Sequence, residues 1–334
     1  MKLNVKVVLA ALAVSILATG CAQKVSIKAL QPAEISRAAE TKKIAVSSFE
    51  NDRVNLSAKI EAKIAKHRLD KKQYFTTLSR RDLNKILKEQ KIQNSGLIDQ
   101  DTAVEVGKLM GAQAIISGSV GKASSSDTTF YEERTKCNKN SCWKIKVSCT
   151  KRLSGLSAEI RMIDTKKGDI IYADTINKTS SSKHCSDDSQ ALPSSEIASQ
   201  RLASIISDSF VYKLVPHYVY FDVELLEDPD LDYNDKQAFL LENSLAYIKQ
   251  NRYDKAEKLL LKLINSTGEK SYVPLYNLGV IKEASGRYLE AKALYSKADD
   301  LTIQPVEQIN KAINHIDKII QQHNTAMSQI KKNS

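Results

Sequence analysis

Cys137, Cys142, Cys149 and Cys185, with His184 beside the last, are the densest group of chemically capable side chains in this 334-residue sequence. Thiols and an imidazole in one stretch can do one of two things: pair as disulfides, or hold a thiophilic metal such as zinc. Cys137 and Cys142 have four residues between them rather than two, which departs from the usual zinc knuckle, so two disulfides are expected and no metal or other cofactor. The fifth cysteine, Cys21, has a different setting. Lys2 and Lys6 precede an apolar run from Val7 to Ala18, too short for a mature bilayer helix, and Ala18-Thr19-Gly20 places small residues directly before Cys21. That pattern reads as a bacterial lipoprotein signal over 1–21, with acyl chains on Cys21 as the membrane anchor. Ala22 rather than Asp after the cysteine implies the outer membrane, periplasmic face. An ordinary secretory signal cut near Ala22 is the rival. Either route leads to an oxidising compartment, which agrees with paired cysteines.

Other chemistry finds little support. His67, His184, His217, His315 and His323 are dispersed, with no H-E-x-x-H and no nucleophile motif nearby, and read as surface residues. Gly118-Ser-Val-Gly121-Lys122 has Ile116 where a phosphate loop needs its first glycine, so a strand end is the simpler reading. Asp228, Asp230 and Asp232 alternate as calcium ligands can, yet neither the glycine nor the closing glutamate of such a loop follows, and a solvated linker is expected. No enzyme is indicated. The formal charge of +11 falls to +9 once Lys2 and Lys6 leave with the signal, and the excess is scattered lysine without stacking aromatics. Nucleic acid is therefore not an expected partner.

These residues need elements to position them. Apolar content of 42% against 27% charge is that of a folded chain, long enough for two domains. The run at 43–49 predicts a buried strand, and Leu56, Ile60 and Ile64 mark one helix face. The segment 74–78 predicts another strand, Ser79-x-x-Asp82 and Thr102-x-x-Glu105 predict capped helices, and Gly111 predicts the end of the second. Ala114 to Val120 resumes strand. Three further strands, 142–149, 157–164 and 170–176, form an antiparallel meander in which Cys149 ends beside the chain that leaves Ile176. Cys149 with Cys185, and Cys137 with Cys142, is therefore the favoured pairing. Leu202 to Leu214 makes a closing helix before Pro216.

The expected organisation is a tether over 22–41, an α/β (α+β) domain with a mixed sheet over 42–226, a linker over 227–236 and an all-α domain over 237–334. In the last, Tyr253, Ala256 and Leu260 recur 35 positions on as Tyr288, Ala291 and Tyr295, close to the tetratricopeptide period. Gly279 and Ala291 are small where two helices of a repeat touch, while Ser244 stands where the first copy would carry glycine. The stripe Val306, Ile309, Ile313, Ile316 and Ile320 predicts a capping helix; a plain helical bundle is the rival. Tyr247, Asn277 and Lys282 are the candidate partner-binding residues of this tail, which suits periplasmic or outer-membrane proteins.

The run from Leu78 through S-R-R-D-L, E-Q-K-I and Gly111-Ala112 to Gly118-Ser-Val120, with the later Asp164-T-K-K-G-D-I-Ile171 turn, resembles the CsgG/HfaB family of outer-membrane lipoproteins of curli and holdfast production. The resemblance covers about 42–225 and implies an α/β periplasmic domain, often in a ring-forming homo-oligomer. Two departures qualify it. Only Ser48 to Asn55 lies where the curli channel carries its constriction loop, and the segments at its two membrane hairpins, 122–141 and 178–195, are short or polar, with no apolar alternation. Both are expected to be disulfide-stapled loops in water. The expected function is a non-catalytic assembly or scaffolding subunit of an envelope structure, with a secretion pore as the first alternative and a regulator of a cell-wall synthase as the second.

Overall fold

In the computed structural model the described residues are 23–89 and 98–331. The signal, Cys21 and the Gln90-Lys91-Ile92 part of the family motif lie outside them. The chain divides into two compact units, one taking in 29–219 with the residues from 319 on, the other 220–318 with the residues up to 28.

In the first unit the elements are β1 (Lys24–Gln31, shared with the second), α1 (Ser36–Glu40), β2 (Lys43–Val46), α2 (Leu56–Lys66), β3 (Arg68–Leu69), β4 (Lys72–Gln73), β5 (Thr76–Leu78), α3 (Arg80–Glu89), α4 (Gln100–Met110), β6 (Ala114–Val120), β7 (Ser124–Cys137), β8 (Cys142–Asp164), β9 (Ile170–Cys185) and α5 (Ser195–Leu214). The main sheet has the order β5-β2-β6-β8-β7, with β9 on the other side of β8. β2 runs parallel to β5 and β6, while β6, β7 and β9 all run antiparallel to β8. The sheet is mixed, as the sequence implies. Alternation along β2 and β6 explains why both strands are apolar throughout. Ile44, Val46 and Ile116 face a core with Ile60, Ile64, Leu202, Ile206 and Phe210 of α2 and α5; Ala45 and Ile115 face Leu83, Leu87 and Val106 of α3 and α4.

Local chemistry sets the helix ends. Asp52 accepts from the N–H groups of Leu56 (2.6 Å) and Ser57 (2.9 Å) to open α2. α4 is capped by Asp99, which accepts from Thr102 N at 2.9 Å, so Thr102 is the third helical residue and not the cap. A carboxylate also suits the helix dipole, and it wins the position. Gly111, at φ 67°, ends α4 as expected.

Three expectations need correction. Residues 24–31 are no tether: Lys24 to Ala29 alternates exposed and buried, with Val25, Ile27 and Ala29 inward, and the strand pairs with β10 (His217–Glu224). The polar segments at 122–141 and 178–195 are strand over most of the first and the first half of the second, because β7 reaches Cys137 and β9 reaches Cys185 against a single 23-residue β8, and loop is confined to the residues beyond those cysteines. Nor is 227–236 a simple linker. Asp230 accepts from the Tyr272 N–H at 2.7 Å, from Ser271 Oγ and from the Tyr233 hydroxyl, which ties the acidic segment to the start of a helix.

The second unit is built on α6 (Asp235–Lys249), α7 (Tyr253–Ser266), α8 (Tyr272–Ala284), α9 (Tyr288–Asp300) and the first part of α10 (Glu307–Lys331). Asn251 (φ 56°) and Gly286 (φ 73°), the same 35-residue offset apart, take left-handed backbone at the turn of each helix pair. A Cβ on Gly279 would lie 2.6 Å from Tyr295 Cε1, and Ala291 is fully buried, so the small residues do mark helix contacts. Ser244, also fully buried, donates its hydroxyl to the Leu241 carbonyl at 2.6 Å and so fits where glycine was expected. The helical region is consistent with tetratricopeptide-like repeats.

Candidate functional site

The cysteines lie on a ribbon formed by β7, the first half of β8 and the second half of β9. Cys137 pairs across from Cys142, and a disulfide joins them around a turn in which Asn138 Oδ1 accepts from the N–H groups of Asn140 (3.0 Å) and Ser141 (2.8 Å). Cys149 opposes Cys185, and the second disulfide fastens β8 to β9 there. Val147, Cys149 and Cys185 form a small buried cluster with Phe130 and Ile145. Around it the ribbon is held by charge: Arg134 reaches Asp187 at 2.9 Å, Lys183 reaches Glu132 at 2.8 Å, and Arg152 grips Asp127 through two nitrogens at 2.6 and 2.7 Å. The Asp127 carboxyl is held below its usual range by the Arg152 hydrogen bond. Glu132 is close enough to both sulfurs of the second pair to share an ion, but those sulfurs are bonded to each other. His184 takes no part. It opposes Thr150, one residue out of step with the disulfide, and its Nδ1 contacts the Gln190 carbonyl oxygen.

β7 runs for 14 residues, long enough to cross a bilayer if its outward face were apolar. One face presents Ser124, Ser126, Thr128, Glu132, Arg134 and Lys136 around Phe130; the other presents Ser125, Asp127, Thr129, Glu133 and Thr135 around Tyr131. Neither face carries a lipid-facing band. Among the described residues no helix is long and apolar enough to cross a membrane.

The candidate partner residues of the helical unit separate. Tyr247 is half-buried on α6. Asn277 is not a surface residue: it is fully buried, its Oδ1 accepting from Leu226 N at 2.9 Å and its Nδ2 donating to Leu226 O at 2.7 Å. A helix polar residue that satisfies a buried main-chain pair cannot also meet a partner. Lys282 is also withdrawn, 7% exposed, with its ammonium 2.7 Å from both Glu257 and Glu290. Arg287 adds a second cation to Glu257 at 2.6 Å. Burial opposes ionisation of Glu257, but the Arg287 and Lys282 hydrogen bonds outweigh it and lower its pKa.

Gly118 lies within β6, and glycine suits it because a Cβ would meet Glu159 O at 2.4 Å. Lys122 lines an open cleft with Arg53, Gly121 and Leu156. The histidines are less superficial than their dispersal implied. His67, His217 and His315 are all half-buried, and Nε2 of both His67 and His217 is buried without a hydrogen-bond partner. Sequence spacing carried no signal for that pair.

The family model described as curli production assembly/transport component CsgG matches residues 21–189, just over half of the chain. No curated protein matches. Among solved structures, the crystal structure of lipoprotein GNA1162 from Neisseria meningitidis is similar at 15% identity and a TM-score of 0.25, over 52% of this chain and 97% of that one.

Proposed function

This chain belongs to the CsgG family of curli production assembly/transport components, and from that premise we propose that it is a lipoprotein held by Cys21 on the periplasmic face of the outer membrane, where it serves as a non-catalytic assembly subunit of an envelope structure. The observation that carries the reading is the ribbon. Its strands have the length of membrane strands, but charges and hydroxyls occupy both faces and two disulfides staple it, which suits a rigid aqueous arm that contacts protein. Partners would meet the helical repeats or the free edges of β7 and β9, and copies of the chain would associate through the α/β unit as the family's members do. Purified full-length protein in planar bilayers should give no conductance, and Cys21→Ser should shift it to the soluble periplasmic fraction. Stable single-channel conductance would overturn the scaffold in favour of a secretion pore, the second reading, which the 23-residue length of β8 favours. Retention of Cys21→Ser in salt-washed membranes would do the same.

A further inference from the structure

Gln23, two positions after Cys21, is fastened to the second unit by three hydrogen bonds, and every partner belongs to that unit. Its backbone N–H donates to Glu227 Oε1, its carbonyl accepts from Leu225 N at 2.8 Å, and its side-chain Nε2 donates to the Leu245 carbonyl at 3.0 Å. Leu225 and Glu227 flank Leu226, whose own N–H and carbonyl are both held by Asn277, and the Glu224 carbonyl accepts from the Tyr276 hydroxyl at 2.8 Å. The segment that receives Gln23 is thus itself pinned to α8. Nor can the chain after Gln23 peel away freely, because Val25 and Ile27 are buried and would have to be returned to water.

These bonds limit how far an anchor at Cys21 can stand from the helices. Two residues of fully extended chain span at most about 7 Å, whereas an α-helix with its side chains is about 10–12 Å across. A lipid on Cys21 therefore leaves no layer of water as thick as one helix between the bilayer surface and the edge that carries Gln23. That edge includes the last turn of α6, where Lys249 and Gln250, one turn beyond Leu245, are exposed. Lys249 puts an ammonium there that phosphate headgroups attract, and Lys24, beside Gln23, adds another, 3.2 Å from Glu224. The exposed carboxylates of Glu227 and Glu242 offset these lysines, so the length of the link and not net charge sets the approach.

We propose that the helical unit docks on a phospholipid surface through the C-terminal edge of α6, held against the headgroup layer by the Gln23 clasp and the acyl chains of Cys21. This rests on the lipoprotein reading above and adds to it the surface that meets the bilayer. Protein partners of the repeats then approach on surfaces other than this edge.

The test uses the full-length protein made in cells that acylate lipoproteins, with a photoreactive benzoylphenylalanine in place of Lys249 or of Gln250, reconstituted in vesicles of phosphatidylethanolamine and phosphatidylglycerol. After illumination, mass spectrometry reads lipid adducts at the probe, and the mass of the N-terminal peptide reports acylation in the same sample. With the native link, both positions should give lipid adducts. Inserting about twenty Gly and Ser residues between Ala22 and Gln23 should leave acylation intact and lower the adducts about tenfold or more, since effective concentration falls roughly as the −3/2 power of the link's length. Circular dichroism of the insertion variant checks that its helices remain folded. Acylated protein without adducts at either position, or adducts undiminished by the insertion, overturns the proposal and leaves the lipoprotein reading standing. An unmodified Cys21 would overturn both.

Discussion

Gln329 holds Ala33 from both sides: its Oε1 accepts from the Ala33 N–H at 2.9 Å, and its Nε2 donates to the Ala33 carbonyl at 3.2 Å. The residues are 296 positions apart, and Gln329 is 1% exposed. Ala326, one turn earlier, is fully buried in the core with Leu202 and Phe210. Removing 237–334 would therefore strip the α/β core as well as the repeats, and loss of partner binding by such a truncation would not locate the partner. Gln329→Leu leaves two buried main-chain groups unpaired and should cost about 2–4 kcal/mol in urea unfolding. A loss within about 0.5 kcal/mol, the range of ordinary surface changes, would mean the clasp is not made in solution.

What was legible in the sequence followed from burial on two faces. Ile44-Ala45-Val46 and Ala114 to Ile116 form continuous apolar runs because helices cover both sides of the sheet, and the pairing of Cys149 with Cys185 followed from the strand order. β7 was not legible for the opposite reason. Its stability comes from main-chain pairing and ion pairs such as Asp127 with Arg152, which leave no apolar alternation to read. β1 did carry alternation, in Val25, Ile27 and Ala29, but its partner β10 lies almost 200 residues away. Asn277 failed as a surface candidate because helical spacing does not distinguish a polar residue facing water from one bonded to the buried Leu226 main chain. His67 and His217 share a cleft only because α2 and α5 end together, which no local pattern records.

The helical unit should lose stability as pH rises past neutrality. His315 Nε2 lies 2.8 Å from Glu283 Oε1, and the other oxygen of this fully buried carboxylate accepts from the Tyr295 hydroxyl at 2.7 Å. Burial opposes the His315 proton, but the Glu283 hydrogen bond and charge outweigh it, so the pKa is raised above 6.5. A raised histidine pKa stabilises fully below its unfolded value and ceases to as pH climbs through the folded one. Thermal melts from pH 5 to 9 should show a fall in that window, absent in His315→Gln. His315→Ala should cost about 2–3 kcal/mol at pH 6 because the carboxylate loses a partner. A pH profile unchanged in His315→Gln would sink this reading.

The two disulfides should differ in worth. The Cys149–Cys185 bridge spans 36 residues and the Cys137–Cys142 bridge spans 5. Loop-closure entropy alone gives about 3–4 kcal/mol for the longer and about 2 for the shorter. Cys149→Ser with Cys185→Ala should also loosen the Val147 and Phe130 cluster, so hydrogen exchange should rise along 142–153 and 178–185 while β2 and β6 stay protected. Equal losses for the two paired removals would show that closure entropy does not govern the ribbon.

Gly279→Ala sets two effects against each other in the helical unit. Alanine gains about 1 kcal/mol over glycine by helix propensity. Its Cβ, however, would sit 2.6 Å from Tyr295 Cε1, and that ring is fully buried with its hydroxyl tied to Glu283, so it has nowhere to swing. Overpacking of this kind costs about 1–3 kcal/mol, enough to cancel or reverse the gain. Calorimetry should therefore show Gly279→Ala neutral to destabilising. Ala291→Arg forces a cation into the same closed contact and should melt the repeats outright, raising protease cleavage across 253–300. A Gly279→Ala protein stabilised by the full propensity gain would mean that α8 and α9 do not pack through this pair, and the repeat-based docking surface would lose its footing.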